Sequence, residues 1–399
     1  MAVRAPSDSG SPIVVHCHLR WSGIWQRPQQ THSRLARRRP VTFVEEPIEG
    51  DGAPRLDIAP TDDGVVVVRP HLARSRKGGE RAREAAVADM LRAAGRGCLA
   101  DRLRDAVHWL YTPQMEPHVD AVGSPAAIVY DCMDELSQFL HAPRDLAARE
   151  RRLLARADVV FTGGPALYEA KCALHDNTHL FPCGVDFEHF NAAASGRVAP
   201  PDDLRALPAP RLGYVGAIDE RLDYELIGEI AGAHPDWSLV LIGPIVKVDP
   251  AVLPRRPNVH VLGPRPYAEL PAYIAGFDVC LMPFALNRAT DFINPTKTLE
   301  YLASGKPVAS TPIRDVARHF SDVVDVAPRD RWIATLEALV GGGAARDAAA
   351  GLERARRASW DTTVARMESL VDEAVSDRWQ RRKAETSVST GRATASWPA

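Results

Sequence analysis

The stretch Asn294-Pro295-Thr296-Lys297-Thr298-Leu299-Glu300-Tyr301-Leu302-Ala303-Ser304-Gly305-Lys306-Pro307-Val308 reads as a helix delivered straight into a strand. Pro295 and Thr296 suit a helix start, Gly305 the left-handed position after its last turn, and Pro307 the opening of the strand. Free N–H groups and a partial positive charge at such a helix start suit a diphosphate. Lys297 sits in that first turn, against the dipole, where a cation is expected only if an anion arrives beside it. Glu300, one turn on, is placed to accept hydrogen bonds from ribose or sugar hydroxyls; the competing account is a solvent-facing i,i+3 ion pair with Lys297.

Upstream, three strands end at a glycine: Tyr214-Val215-Gly216-Ala217-Ile218, Leu241-Ile242-Gly243-Pro244 and Val261-Leu262-Gly263-Pro264. Such endings allow a backbone to approach a ligand closely, or a helix to pack tightly on a sheet. Strands are expected at Leu212–Val215, Ser238–Ile242, Val259–Leu262, Val279–Met282, Pro307–Thr311 and Val323–Val326. Between them fall helices Tyr224–Ala233, Pro266–Ala275, Thr296–Ser304 and Ile313–His319. The first half repeats the alternation, with strands Pro12–Cys17, Val41–Val44, Gly64–Val68, Ala106–Leu110, Ala127–Tyr130 and Val159–Thr162, and helices Arg27–Arg38 and Pro143–Ala157. This is how an α/β protein with parallel sheets is written.

At 399 residues the chain exceeds one hydrophobic core. We therefore expect two Rossmann-like, doubly wound domains. The N-terminal one covers 12–195, a Pro-rich linker 196–210, and the C-terminal one 211–343. A helical segment at 344–382, anchored by Trp360 and Trp379, is expected to pack back on the N-terminal domain, and 383–399 to be a disordered tail. The composition, 45% apolar and 25% charged, is that of a folded soluble protein, and a net charge of −2 gives no reason to expect nucleic acid. Six cysteines lack any CxxC spacing, and there is no apolar leader or run of eighteen apolar residues. Both point to the cytoplasm.

In the first half, His18, Arg20, Trp21, Trp25 and Arg27 occupy the long loop after the first strand. Exposed indoles beside guanidiniums suit stacking on an acceptor sugar and binding of its phosphate or carboxylate, so these residues, with Asp131 and Asp134, are expected to bind the acceptor; the alternative is packing beneath the loop. Asp131, Asp134 and Glu135 follow the strand Ala127–Tyr130, where a general base, a hydroxyl-binding carboxylate or a helix N-cap would stand. His16 and His18 share a strand face, but no third metal ligand is evident. Arg34, Arg37, Arg38 and Arg39 form a basic stretch at a helix end, which reads as a solvated face or, for a lipid-linked acceptor, a peripheral contact with the inner membrane face.

The motifs YVGAI, LIGP, NVHVLGPRPYAELPAYIAGFDVCLMPF and PTKTLEYLASGKPV, with PCGVDFEHF at 182–190, resemble the donor half of retaining glycosyltransferase family 4. HLRWSGIWQRPQQ at 18–30, FVEEP at 43–47 and YDCMDE at 130–135 are similar to a bacterial branch that includes enzymes of the teichuronic-acid type. The resemblance runs over nearly all of 12–340 and implies the GT-B fold. The activity it implies is transfer of a sugar from a nucleotide-diphosphate donor to a glycan or lipid-linked hydroxyl, with retention and no metal or other cofactor. It places Pro264–Tyr267 beside the nucleobase, Arg221 and Lys297 on the diphosphate and Glu300 on the ribose, with Gly216, Ile218, Gly243, Pro244, Gly263, Asn294, Pro295 and Thr296 bordering the donor. Two positions depart from the family: Ala217 stands where an Arg is usual, and Phe292 where an acid is usual. The rivals are a nucleotide-sugar 2-epimerase, an inverting transferase, or a non-catalytic nucleotide-sugar-binding subunit on the same fold. A dinucleotide oxidoreductase is disfavoured because no GxGxxG follows the first strand.

Overall fold

The computed structural model describes residues 10–74, 79–140, 142–343 and 346–393, with side chains as far as 385. Its strands are β1 (Ile13–Cys17), β2 (Val41–Glu45), β3 (Ile48–Gly50), β4 (Arg55–Pro60), β5 (Val65–Ala73), β6 (Val107–Leu110), β7 (Ala127–Cys132), β8 (Val159–Thr162) and β9 (Thr178–Leu180) in the N-terminal half. The C-terminal half holds β10 (Arg211–Val215), β11 (Ser238–Ile242), β12 (Val259–Gly263), β13 (Val279–Met282), β14 (Val308–Ser310) and β15 (Asp325–Val326).

The second sheet is wholly parallel, in the order β12-β11-β10-β13-β14-β15. Winding outward in both directions from β10 makes the β10/β13 junction a topological switch point, where a crevice opens beyond the strand ends. The first sheet follows the same plan, β5-β2-β1-β6-β7-β8-β9, with its switch point at β1/β6 and an edge formed by β3 and the antiparallel β4. The edge strands β3 and β4 were not expected; β4, mostly exposed, lacks the buried apolar run that marks the central strands.

β1 is buried on both faces, as its run of β-branched residues requires. Ile13, Val15 and Cys17 share a core with Trp360, Val364, Met367 and Val371 of helix Trp360–Ala393, and Val14 shares another with Val87 and Leu91 of helix Glu80–Gly95. The last helix therefore completes the N-terminal core, as expected. Helix Ala348–Arg357 joins the other domain instead, through Ala355. The long helix runs on to Ala393, into the segment expected to be a disordered tail; residues 394–399 lie outside the described residues.

The basic stretch has partners within the fold. Arg34 pairs with Asp361 at 2.8 Å, Arg38 and Arg39 with Glu368 at 3.0 and 2.8 Å, and Arg39 with Asp372 at 3.1 Å. Arg34 and Arg39 fasten the last helix to the segment around helix Arg27–Leu35, while Arg37 and Arg38 stay exposed, Arg38 at 56% of its side chain. Among the described residues no helix is long and apolar enough to cross a membrane.

Four buried histidines lie in the N-terminal core. His16 Nε2 is 2.9 Å from His108 Nδ1, His118 lies beside them, and His32 sits edge-on to Trp109. Burial holds all four neutral, with His32 and His108 pushed down to about 3 and His118 to about 4. Because the folded values lie below the unfolded one, the stability they allow is intact above about pH 6.5 and is lost as pH falls toward the folded values. Each ring withdraws about 1.4 kcal/mol per pH unit in that window. Calorimetry at about pH 7 and pH 5 is expected to show a first transition that drops sharply at the lower pH; a melting temperature that stays put would mean the rings are already charged in the fold.

Candidate active site

The two switch points face each other across an interdomain cleft. From the C-terminal domain come the ends of β10, β11 and β12 and the start of helix Thr296–Ala303. From the N-terminal domain come the loop after β1 and the segment after β7. Two connected hollows result. The larger, about 660 Å³, is bordered by Trp21–Trp25, Gly243, Pro244 and Pro264–Tyr267; the smaller, about 120 Å³, by Trp25, Asp134, Ala217, Arg221 and Asn294–Lys297. Lys297 and Gly216 line both.

The glycine endings have a steric reason at one point. A Cβ on Gly243 would lie 1.8 Å from Gly216 O, so the β10 and β11 loops close together only without a side chain there. Gly216 and Gly243 thus form the floor of the cleft. Ile218, expected beside the donor, is instead fully buried, its N–H donating to Pro244 O at 2.9 Å; the β-branched side chain goes to the core because the loop turns back under itself. Gly263 does not line the cleft but braces it, its carbonyl accepting from Gly243 N–H at 3.0 Å.

At the helix start Lys297 Nζ donates to Glu300 Oε2 at 2.6 Å, with the two side chains only 12% and 8% exposed. The i,i+3 ion pair of the competing account is thus formed, though at the wall of the cleft and with both side chains largely buried. Arg221 is held by a carboxylate that the sequence reading missed: its Nε donates to Asp219 Oδ1 at 3.0 Å and its Nη2 to Asp219 Oδ2 at 2.6 Å. Burial works against that guanidinium, but Asp219 outweighs it and keeps it charged. Asn294 reaches across the cleft, Nδ2 donating to Gly163 O at 3.2 Å. Phe292, at the family's acidic position, packs against the N-terminal core beside Tyr130 and Cys132.

On the opposite wall Asp134 faces Arg221. Burial raises its carboxyl to about 6, against the pull of Arg221 and with the push of Asp219. The loop carrying it is fixed from behind: Lys171 Nζ donates to Glu135 Oε2 at 2.6 Å and to Glu150 Oε2 at 2.8 Å. Lys247, in the left-handed region at φ 62°, and Arg221 both approach the Phe139 ring, at 5.3 and 5.8 Å. The LIGP motif pointed to this turn, but nothing in its spacing singled out the lysine three residues beyond.

The β1 loop divides differently from expectation. Arg27 and Asp131 are fully buried and bound to each other, Nε to Oδ1 at 2.9 Å, so neither presents a charge to an acceptor. Trp21 is buried edge-on against Phe43, and Arg20 donates to Glu45 Oε2 at 3.0 Å and to Glu46 O. These four are scaffold, because in each case a partner inside the domain already satisfies the group. His18 is pushed down to about 4 by burial and then by Lys247, and its Nδ1 is enclosed without a partner. Of the residues expected on the acceptor, Trp25 and Asp134 border the hollows, as do the anchored Trp21 and Arg27, while His18 borders neither. Among the described residues no group of three or more His, Cys, Asp and Glu side chains is arranged to hold a metal ion.

Residues 209–341 match the family model described as Glycosyl transferases group 1. The chain is similar to the putative teichuronic acid biosynthesis glycosyltransferase TuaH of Bacillus subtilis, 29% identical over 227 residues, or 52% of this chain and 56% of that protein. The match thus spans little more than half the length of that relative. In fold it resembles the sucrose-phosphate synthase of Thermosynechococcus elongatus, with a TM-score of 0.69 at 16% identity over 92% of this chain and 100% of the other. It also resembles HepE of Anabaena in complex with UDP-glucose, with a TM-score of 0.67 at 13% identity over 91% and 100%. Residues 209–341 thus resemble a glycosyltransferase group 1 domain, and the chain as a whole has the two-Rossmann GT-B fold.

Proposed function

We propose that the chain transfers a sugar from a nucleoside-diphosphate donor to a hydroxyl of a glycan or lipid-linked acceptor. We further propose that it does so with retention, without a metal, and in the synthesis of a cell-surface polysaccharide. The observation that carries the reading is the cleft itself: the start of helix Thr296–Ala303, with Lys297, stands at the junction of the two hollows. Cleaving the anomeric C–O bond builds negative charge on the departing diphosphate. A helix start and a fixed ammonium stabilise that charge without reorganising. Arg221, whose charge Asp219 maintains, adds a second positive wall to the smaller hollow, where the sugar and diphosphate would lie. Asp134, across from it and retaining its proton to about pH 6, is placed to hold an acceptor hydroxyl. The likeness to TuaH supports a polysaccharide acceptor, and the neighbour that holds UDP-glucose supports a nucleotide-sugar donor.

A panel of UDP-, GDP- and dTDP-sugars, read by thermal shift and then by turnover with glycan and lipid-linked acceptors, tests this. At least one donor is expected to raise the melting temperature and to be consumed only with acceptor present. EDTA is expected to leave the rate unchanged; a rate abolished by EDTA and restored only by a divalent ion sinks the metal-free part. Donor consumed equally without acceptor would favour an epimerase, and binding without turnover a non-catalytic subunit.

A further inference from the structure

We propose that Trp25 belongs to the donor site, where its indole is the plate against which the nucleobase of the nucleoside diphosphate stacks. This rests on the glycosyltransferase reading above and deepens it. The sequence assigns the β1 loop to the acceptor because it carries indoles beside guanidiniums at the carboxyl end of the first strand. The structure instead places Trp21–Trp25 along the larger hollow, opposite Pro244, Pro264, Pro266 and Tyr267.

That hollow is chemically two-ended. One end carries Lys297 and meets the smaller, charged hollow. The other is mainly apolar, bordered by Trp25, Pro244, Pro264, Pro266 and Leu270, and the charge of Arg265 there is paired, its guanidinium donating to Tyr273 Oη at 2.5 Å and to Asp203 Oδ2 at 2.9 Å. A molecule with an anionic end and a broad, neutral, aromatic end fits this division. A nucleoside diphosphate is such a molecule, and a polyhydroxylated acceptor sugar is not.

The plate is held in place from both sides. Trp21 is anchored in the N-terminal core, its backbone N–H donating to Glu45 Oε1 at 2.9 Å and its carbonyl accepting from Gln29. Trp25 stands edge-on to it, with ring centroids 5.8 Å apart. Across the gap Trp25 meets Tyr267 at 6.1 Å and 39°. Tyr267 is itself fixed: Gln30 Nε2 donates to its hydroxyl at 3.0 Å, and the His189 ring stacks on it at 4.6 Å. Trp25 is only partly buried, so its outer face is open to a ligand without unpacking the core. Stacking on an aromatic ring accepts any base, so this contact contributes affinity, and discrimination among bases falls to other groups.

The test is calorimetric titration of the full chain with UDP, GDP and dTDP, in the wild type and in Trp25→Phe, Trp25→Leu and Trp25→Ala. Trp25→Ala is expected to raise the Kd of the diphosphate that binds about tenfold. Trp25→Phe should stay within about threefold of wild type, with Trp25→Leu nearer to Ala. An unchanged Kd in Trp25→Ala, or Phe and Leu variants equally weak, overturns the proposal, and the Phe–Leu contrast decides the matter even if the Ala variant does not fold. A wild-type chain that binds none of the three diphosphates defeats the glycosyltransferase reading itself.

Discussion

Lys297→Ala is expected to lower kcat/KM about a hundredfold, the loss of roughly 3 kcal/mol from a charge-assisted contact that strengthens as the diphosphate departs. The structure adds a complication and its remedy. Lys297 is bonded to Glu300, and both are largely buried, so its removal also leaves a carboxylate without its cation. A lower melting temperature is therefore expected beside the lower rate. The double variant Lys297→Ala/Glu300→Gln separates the two effects: removing the stranded charge should recover stability, while turnover stays low because the diphosphate still lacks its ammonium. Near wild-type turnover in the stable double variant would show that Lys297 serves only as the partner of Glu300.

The pair also illustrates what a sequence can and cannot disclose about this site. The helix start at 295–297 was legible because proline, glycine and the helix dipole act locally. So were the sheets, since parallel strands buried on both faces are written as unbroken apolar runs such as Ile13–Cys17. Side-chain partners from distant segments were not. Asp131 and Arg27 are 104 residues apart and meet only because β7 and the helix after β1 pack together. Arg34, Arg38 and Arg39 looked like a free basic stretch because their acidic partners lie more than three hundred residues away. Trp21 and Trp25, four residues apart, both border the cleft but differ in burial: one is buried against Phe43, the other only partly buried. Loop sequence carries no periodicity that could tell them apart. Asp219 was passed over although it is two residues from Arg221, because an acidic neighbour in a turn is commonplace until its carboxylate is seen gripping the guanidinium.

Arg27→Ala is expected to reduce stability by about 4 kcal/mol while leaving donor affinity intact below the melting transition, the opposite of what an acceptor-binding arginine would do. The guanidinium is fully buried; its Nε lies 2.9 Å and its Nη2 2.8 Å from Asp131 Oδ1, and Nη1 donates to Phe181 O at 2.7 Å. Asp131 accepts in addition from Trp109 Nε1 at 3.2 Å. One pair thus joins the first helix, β6, β7 and the segment after β9 at the carboxyl edge of the sheet, immediately beneath the loop that carries Trp25. Removing either partner strands a charge in a medium that solvates it poorly, which costs more than the pair contributes. For a domain of this size the expected loss corresponds to a fall of about 10 °C in melting temperature. Asp131→Ala should behave alike, and an apolar double replacement, Arg27→Met with Asp131→Leu, should recover much of the loss, since no charge is then left unpaired. Scanning calorimetry of the three variants, with nucleotide titration of each at low temperature, checks the assignment. Should Arg27→Ala melt with the wild type and raise only the acceptor KM, the guanidinium must turn outward to meet its substrate, and its place in the scaffold would be lost.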